Sequence, residues 1–175
     1  MGAIVVRPAR PGDGEGMARA WLDAGREYQA IDPARFQVPA ADGLAEWFEA
    51  ELRVPSPDGA ISLVAEVDGR VVGFLQARLH PPLPGARRQL LRDLGRTRLE
   101  VDALGVQAPC RRRGVGTALL RAVEGWGHAQ GATLVVLDTF LASPMSVPFY
   151  ERRMGYQRRS VRFEKRLGER HPGPA

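Results

Sequence analysis

Between residues 106 and 120 the chain reads Val106-Gln-Ala-Pro-Cys-Arg111-Arg-Arg-Gly114-Val-Gly116-Thr-Ala-Leu-Leu120. A short apolar strand ends at Val106, a loop with three arginines follows, and two glycines open a helix whose apolar face begins at Leu119 and Leu120. The first N–H groups of a helix have no intrahelical partner and carry the positive end of its dipole. Glycine lacks a Cβ, so at Gly114 and Gly116 the main chain can come close to a bulky ligand. With Arg111, Arg112 and Arg113 these amides form a cradle for a pyrophosphate or a similar anion.

The spacing sorts this cradle from others. A P-loop requires Gly-Lys-Ser/Thr, and no lysine lies here. A dinucleotide fingerprint places a third glycine where Ala118 or Leu119 stands. Arg111-x-x-Gly114-x-Gly116 instead resembles the (Gln/Arg)-x-x-Gly-x-(Gly/Ala) signature of the GCN5-related N-acetyltransferases, the GNAT family. Leu104-Gly105-Val106 stands where that family's strand 4 ends in Leu-x-Val. Downstream, Ser143-Pro-Met-Ser-Val-Pro-Phe149-Tyr150-Glu-Arg-Arg-Met-Gly155-Tyr156 resembles the family's Asn-x-x-Ala-x-x-x-Tyr helix followed by Gly-Phe/Tyr.

Working outward, periodicity and turn residues place the other elements without the family. Ile4–Arg7 reads as a strand. Met17, Ala20, Trp21, Ala24 and Tyr28 repeat at helical spacing, and so do Leu44, Trp47, Phe48 and Leu52 after a cap at Asp42. The runs 61–67 and 70–79 flank Asp68-Gly69, a strong hairpin signal. Residues 87–94 form a helical turn or two, 98–106 a strand, 117–129 a helix, 134–138 a strand, 146–154 a helix and 156–165 a final strand. This order predicts a mixed α/β fold, an antiparallel meander followed by crossover units. It coincides with the family's order over residues 4–166, leaving 167–175 as a disordered tail.

At 175 residues the chain suits one domain, and 44% hydrophobic with 26% charged residues is ordinary for a globular protein. The only apolar run near the start is Ile4–Val6, so neither a signal peptide nor a membrane span is expected. A single cysteine, Cys110, fits a reducing compartment, and a cytoplasmic location is the expectation. All but one of the 25 cations are arginine, which points to a GC-rich genome more than to nucleic acid. The distribution says more: residues 1–86 carry 8 Arg against 12 acids, residues 87–175 carry 17 cations against 8 acids. A basic second half fits an anionic ligand, and an acidic first half is compatible with a cationic acceptor. The arginines are not interleaved with stacking aromatics, which argues against nucleic acid. The three histidines show no metal spacing, so no metal is expected.

The resemblance implies a single GNAT-like domain. Its mostly antiparallel sheet is splayed between strands 4 and 5, with helices on both faces. It implies acetyl-CoA as cosubstrate and a primary amine of a small molecule or peptide as acceptor, attacked directly in a ternary complex. The pantetheine arm would take hydrogen bonds from the main chain of Leu104 and Val106, with Gly105 at the bulge of strand 4. Pyrophosphate would lie on the signature from Arg111, at the amides of Arg112, Arg113, Gly114, Gly116 and Thr117. Ser143 would face CoA where the family usually has Asn. Tyr150 stands at the position of the tyrosine that protonates the leaving thiolate. Glu100 matches a glutamate that acts as base in some members, and Asp102, two residues on, competes with it. Cys110 has no histidine nearby in sequence and is read as a bystander. Pro148 lacks the N–H of a helix interior, so its helix starts near Ser146 or is kinked. One residue more than usual separates Tyr150 from Gly155, altering the helix exit. Transfer of another acyl group, or a sensor that binds acyl-CoA without turnover, are the alternatives. Open mixed sheets of this kind often form homodimers.

Overall fold

The computed structural model describes residues 2–165. Its strands are β1 (Val5–Pro8), β2 (Ala60–Val67), β3 (Arg70–His80), β4 (Arg98–Val106) and β5 (Leu134–Leu137). Helices α1 (Gly14–Ile31) and α2 (Leu44–Arg53) lie between β1 and β2, and α3 (Val115–Ala129) joins β4 to β5. A short α4 (Ser146–Pro148) runs directly into a π-helical turn over Phe149–Arg153. The five strands form one sheet in the order β1-β2-β3-β4-β5. The first four are antiparallel, and β5 joins β4 in parallel, as a strand reached through a crossover helix must.

Two apolar clusters sandwich the sheet. On one face Leu63, Leu75, Leu99 and Val101 meet Val115, Leu119, Leu120 and Val123 of α3. On the other, Val64 and Phe74 meet Met17, Ala18 and Ala20 of α1 and Phe48 of α2. Leu119 and Leu120 are fully buried, each contributing about 1.5–3 kcal/mol. The predicted hairpin turn is present, with Asp68 and Gly69 both at positive φ. The start of α1 is tied down by charge. Arg7 donates to both Asp13 oxygens, at 2.7 and 2.8 Å, and to Glu66 at 3.0 Å. Burial alone would raise the Asp13 carboxyl, but Arg7 and the Arg10 N–H hold it below its ordinary value of 3.8. Its contribution is therefore complete above that value and lost as pH falls through the lower, folded one.

Two expectations need correction. No strand forms over 156–165. Only Tyr156, Val161 and Phe163 are apolar there, and the last two are 62% and 91% exposed, so alternation has no core face to bury. Exposed ion pairs of Arg162 with Asp138 (3.2 Å) and of Arg35 with Glu164 hold this segment instead. The β4 bulge lies at Asp102 rather than Gly105, because Gln76 pairs with Ala103 and Ala77 with Val101. Gly105 serves packing. A Cβ there would come within 2.8 Å of the Phe74 ring, so the buried ring requires a glycine. The disordered tail expected over 167–175 lies outside the described residues.

Candidate active site

The β4–β5 pairing covers only Arg98–Val101 against Leu134–Leu137. Beyond it β4 continues to Val106 with no strand on that side, the splay expected between these strands. Which main-chain groups line the opening follows from alternation. Gln107 N–H donates to Val72 O on β3 at 2.9 Å. The amides and carbonyls of Val106 and Leu104 therefore point away from β3, into the gap. The Val106 carbonyl already accepts Arg111 Nε at 3.1 Å, so Val106 offers chiefly its N–H.

At the wide end of the gap sits the cradle. Gly114 caps α3 at φ +91°, and Arg112 is also left-handed at φ +57°. A non-glycine residue in that region costs about 1–2 kcal/mol and is held by its surroundings. Ala118 N–H bonds Gly114 O, so the amides of Val115, Gly116 and Thr117 precede the first helical hydrogen bond and no side chain caps them. Arg112 and Arg113 are exposed beside them. Gly116 has a packing role too, since a Cβ there would meet the Phe149 ring at 3.3 Å.

Arg111 behaves otherwise. Its side chain turns inward, donating to Glu27 Oε2 at 2.7 Å and to Asp23 O at 2.9 Å as well as to Val106 O. Asp23 Oδ2 in turn accepts Ala108 N–H at 2.7 Å. Asp23 and Glu27, one helical turn apart on α1, thus brace the cradle loop through the Arg111 guanidinium. Ser143 is buried, with its Oγ accepting Ser146 N–H at 3.1 Å, so this hydroxyl caps the start of α4.

The additional residue before Gly155 is taken up where Tyr150 lies. Met154 N–H reaches back to Phe149 O at 3.1 Å and Tyr156 N–H to Tyr150 O at 2.9 Å, the wide spacing of a π turn. Tyr150 packs against Phe149 and Tyr156, with ring centroids 5.2 and 5.9 Å apart. Its hydroxyl makes no hydrogen bond among the described residues. Burial pushes its phenol well above the ordinary range, and nearby Tyr28 adds to this. The group stays protonated at neutral pH. Tyr28, which sequence reading took only as a helix-face residue, bonds Thr139 Oγ1 at 3.1 Å and Ser146 Oγ at 3.2 Å. It thereby ties α1 to the chain between β5 and α4 and to the start of α4.

Because Leu99 and Val101 face α3, Arg98 and Glu100 point to the α1–α2 face. Asp102 is engaged by a bidentate pair with Arg78, at 2.9 to 3.1 Å. Glu100, 42% exposed at its side chain, lies 2.6 Å from His80 Nε2. No group of His, Cys, Asp and Glu arranged to hold a metal occurs among the described residues, and no helix among them is long and apolar enough to cross a membrane.

The profile of the acetyltransferase (GNAT) family matches residues 21–156, from within α1 to just beyond the π turn. The chain belongs to the GNAT family. An uncharacterized N-acetyltransferase of Methanocaldococcus jannaschii, MJ1530, is 31% identical over 99 residues, 56% of this chain. That match spans 53% of the relative's length, so the chain covers about half of it. Among solved structures, a point mutant of the BH1408 protein from Bacillus halodurans superposes with a TM-score of 0.76 at 19% identity, covering 93% of this chain and 99% of that one. The aminoglycoside N-acetyltransferase AAC(6′)-Iy in complex with CoA superposes with a TM-score of 0.61 at 20% identity, covering 95% and 97%. At these identities the structures establish the GNAT fold.

Proposed function

We propose that this GNAT protein transfers an acetyl group from acetyl-CoA to a primary amine of a small molecule or peptide, by direct attack within a ternary complex. The observation that carries the reading is the uncapped start of α3, which follows the β4 edge that β5 leaves unpaired beyond Val101 among the described residues. A cradle of three amides with Arg112 and Arg113 suits a pyrophosphate, and an unpaired strand edge suits the amide-bearing pantetheine arm. The CoA complex of AAC(6′)-Iy, a neighbour in fold, supports the same cosubstrate.

In this reading Val106 N–H and the main chain of Leu104 hold the arm, and the amides of Val115, Gly116 and Thr117 hold the pyrophosphate. Glu100 accepts the proton that the acceptor ammonium must lose before its nitrogen can attack the thioester carbonyl. Asp102 is the poorer candidate, since Arg78 engages both its oxygens. Tyr150 donates its hydroxyl proton toward the sulfur as the carbon–sulfur bond breaks. Ser143 Oγ accepts Ser146 N–H and can still donate its own proton toward CoA.

The expected result is thiol release from acetyl-CoA, matched by acetylated product, with at least one amine from a panel of kanamycin, spermidine and a lysine-containing tetrapeptide. CoA binding by calorimetry with no thiol release for any of them would replace the enzyme with the acyl-CoA sensor.

A further inference from the structure

The loop between β4 and α3 is fastened to α1 along its length. Gln107 Nε2 donates to Val71 O at 2.9 Å and to Gly16 O of α1 at 3.3 Å. The ties from Ala108 and Arg111 reach Asp23 and Glu27, two and three helical turns further along α1. Of these three ties Arg111 is the nearest in sequence to the cradle amides. Between them stand Arg112 and Gly114, both at positive φ, a conformation that the surroundings must hold in place. Each nitrogen of the Arg111 guanidinium already donates, Nε to Val106 O, Nη1 to Glu27 and Nη2 to Asp23 O. The charges are matched as well. Glu27 lies against Arg111 at 2.7 Å, and Asp23 against Arg26 at 2.8 Å. With its side chain only 20% exposed and its charge balanced, the Arg111 guanidinium offers an arriving phosphate little net attraction.

We infer that Glu27 is a positioning residue for the CoA cradle, acting through Arg111, an inference that rests on the acetyl-CoA reading above. The carboxylate of Glu27 anchors the guanidinium, and the guanidinium fixes the loop that aims the amides of Val115, Gly116 and Thr117. Arg111 serves the pyrophosphate by holding these amides in place and does not itself bind it. The cradle is thereby set before the ligand arrives, so CoA does not have to order the loop at the expense of its affinity. The two roles open to Arg111 differ in sign. If its guanidinium bound phosphate, Glu27 would compete with CoA for it, and removing Glu27 would tighten binding. If it holds the loop, removing Glu27 loosens the cradle and weakens binding.

The test compares wild type with Glu27→Ala and Glu27→Gln. Calorimetry should show CoA binding weakened roughly 10-fold in Glu27→Ala, because a charge-assisted hydrogen bond that orders the loop is lost. Alanine is the best helix former and Glu27 is 28% exposed, so the variant keeps its fold, which a melting curve checks. Glu27→Gln retains an oxygen that can accept from Nη1 and should recover most of the lost affinity. In the ligand-free protein, the amide resonances of Gly116 and Thr117 should move in Glu27→Ala and return toward their wild-type positions in Glu27→Gln. Unchanged or tighter CoA binding in Glu27→Ala, a loss that Glu27→Gln does not recover, or cradle amides indifferent to Glu27→Ala would each overturn the inference. Wild type that gives no heat with CoA would instead remove the acetyl-CoA reading on which it rests.

Discussion

Gly114→Glu should abolish CoA binding, with calorimetry showing no heat where wild type binds. The substitution acts where α3 begins, at φ +91°, and its carboxylate would lie among the amides proposed to hold the pyrophosphate. Space is not the obstacle, since the nearest atom to a Cβ there is Ile4 Cδ1 at 3.7 Å. Two effects must be separated: a left-handed conformation costs a non-glycine residue about 1–2 kcal/mol, and like charges repel in a site built for an anion. Gly114→Ala supplies the control, carrying the strain without the charge. It should melt lower than wild type yet keep measurable CoA affinity. A folded Gly114→Glu protein that binds CoA as wild type does would place the pyrophosphate elsewhere.

Tyr150→Phe should lower kcat by about 10²- to 10⁴-fold, with little change in acetyl-CoA affinity. The change removes one oxygen and leaves the ring contacts with Phe149 and Tyr156 in place. Because that hydroxyl has no hydrogen-bond partner among the described residues, its loss should hardly move the melting temperature. A structural tyrosine would show the opposite pattern, a stability loss of about 1 kcal/mol with turnover nearly intact. Burial and Tyr28 hold the phenol protonated, which suits the proposed role of donor to the leaving sulfur. Near-wild-type kcat in Tyr150→Phe would remove it from the chemistry.

The sequence was legible where local rules act alone. The strand–loop–helix around the cradle is written in backbone terms: an apolar run, turn residues, glycines and a helical stripe. These do not depend on what packs against them. The Asp68-Gly69 hairpin was legible for the same reason. Over 156–165 the reading went astray, because alternation specifies a strand only if a neighbouring strand and a core face exist, and both are tertiary facts. The bulge is a similar case. Glycine at 105 suggested it, yet the ladder slips at Asp102, where Arg78 can engage the displaced carboxylate, and Gly105 answers to Phe74.

The site shows the same division. Gly114, Gly116 and Thr117 stand at the start of a helix, as the local pattern predicts, whereas the guanidinium of Arg111 is engaged by α1. Acids at Asp23 and Glu27, spaced one helical turn apart, were the available signal for that brace. Nothing local announced that Tyr28 would reach Thr139 and Ser146, contacts more than a hundred residues distant in sequence. His80 was visible only as a histidine near the end of a central strand. Its approach to Glu100 depends on the β3–β4 register.

The joint between β4 and β5 has a mechanical side. Eight residue pairs fasten β3 to β4, whereas β5 hangs on β4 by four and has no strand on its outer edge among the described residues. In thermal breathing a sheet opens first at its thinly fastened edges, here β1–β2 and β4–β5, each held by four residue pairs. The β4–β5 seam ends where the gap begins, so fraying of the last β5 pair widens the mouth rather than damaging the core. A chain of amides laid along β4 would work as a temporary splint, lengthening the short seam while it is in place and restoring its looseness on departure. In the proposed reading, entry and exit of the arm would draw on the compliance of one edge strand, and the four-stranded antiparallel block behind it can stay rigid.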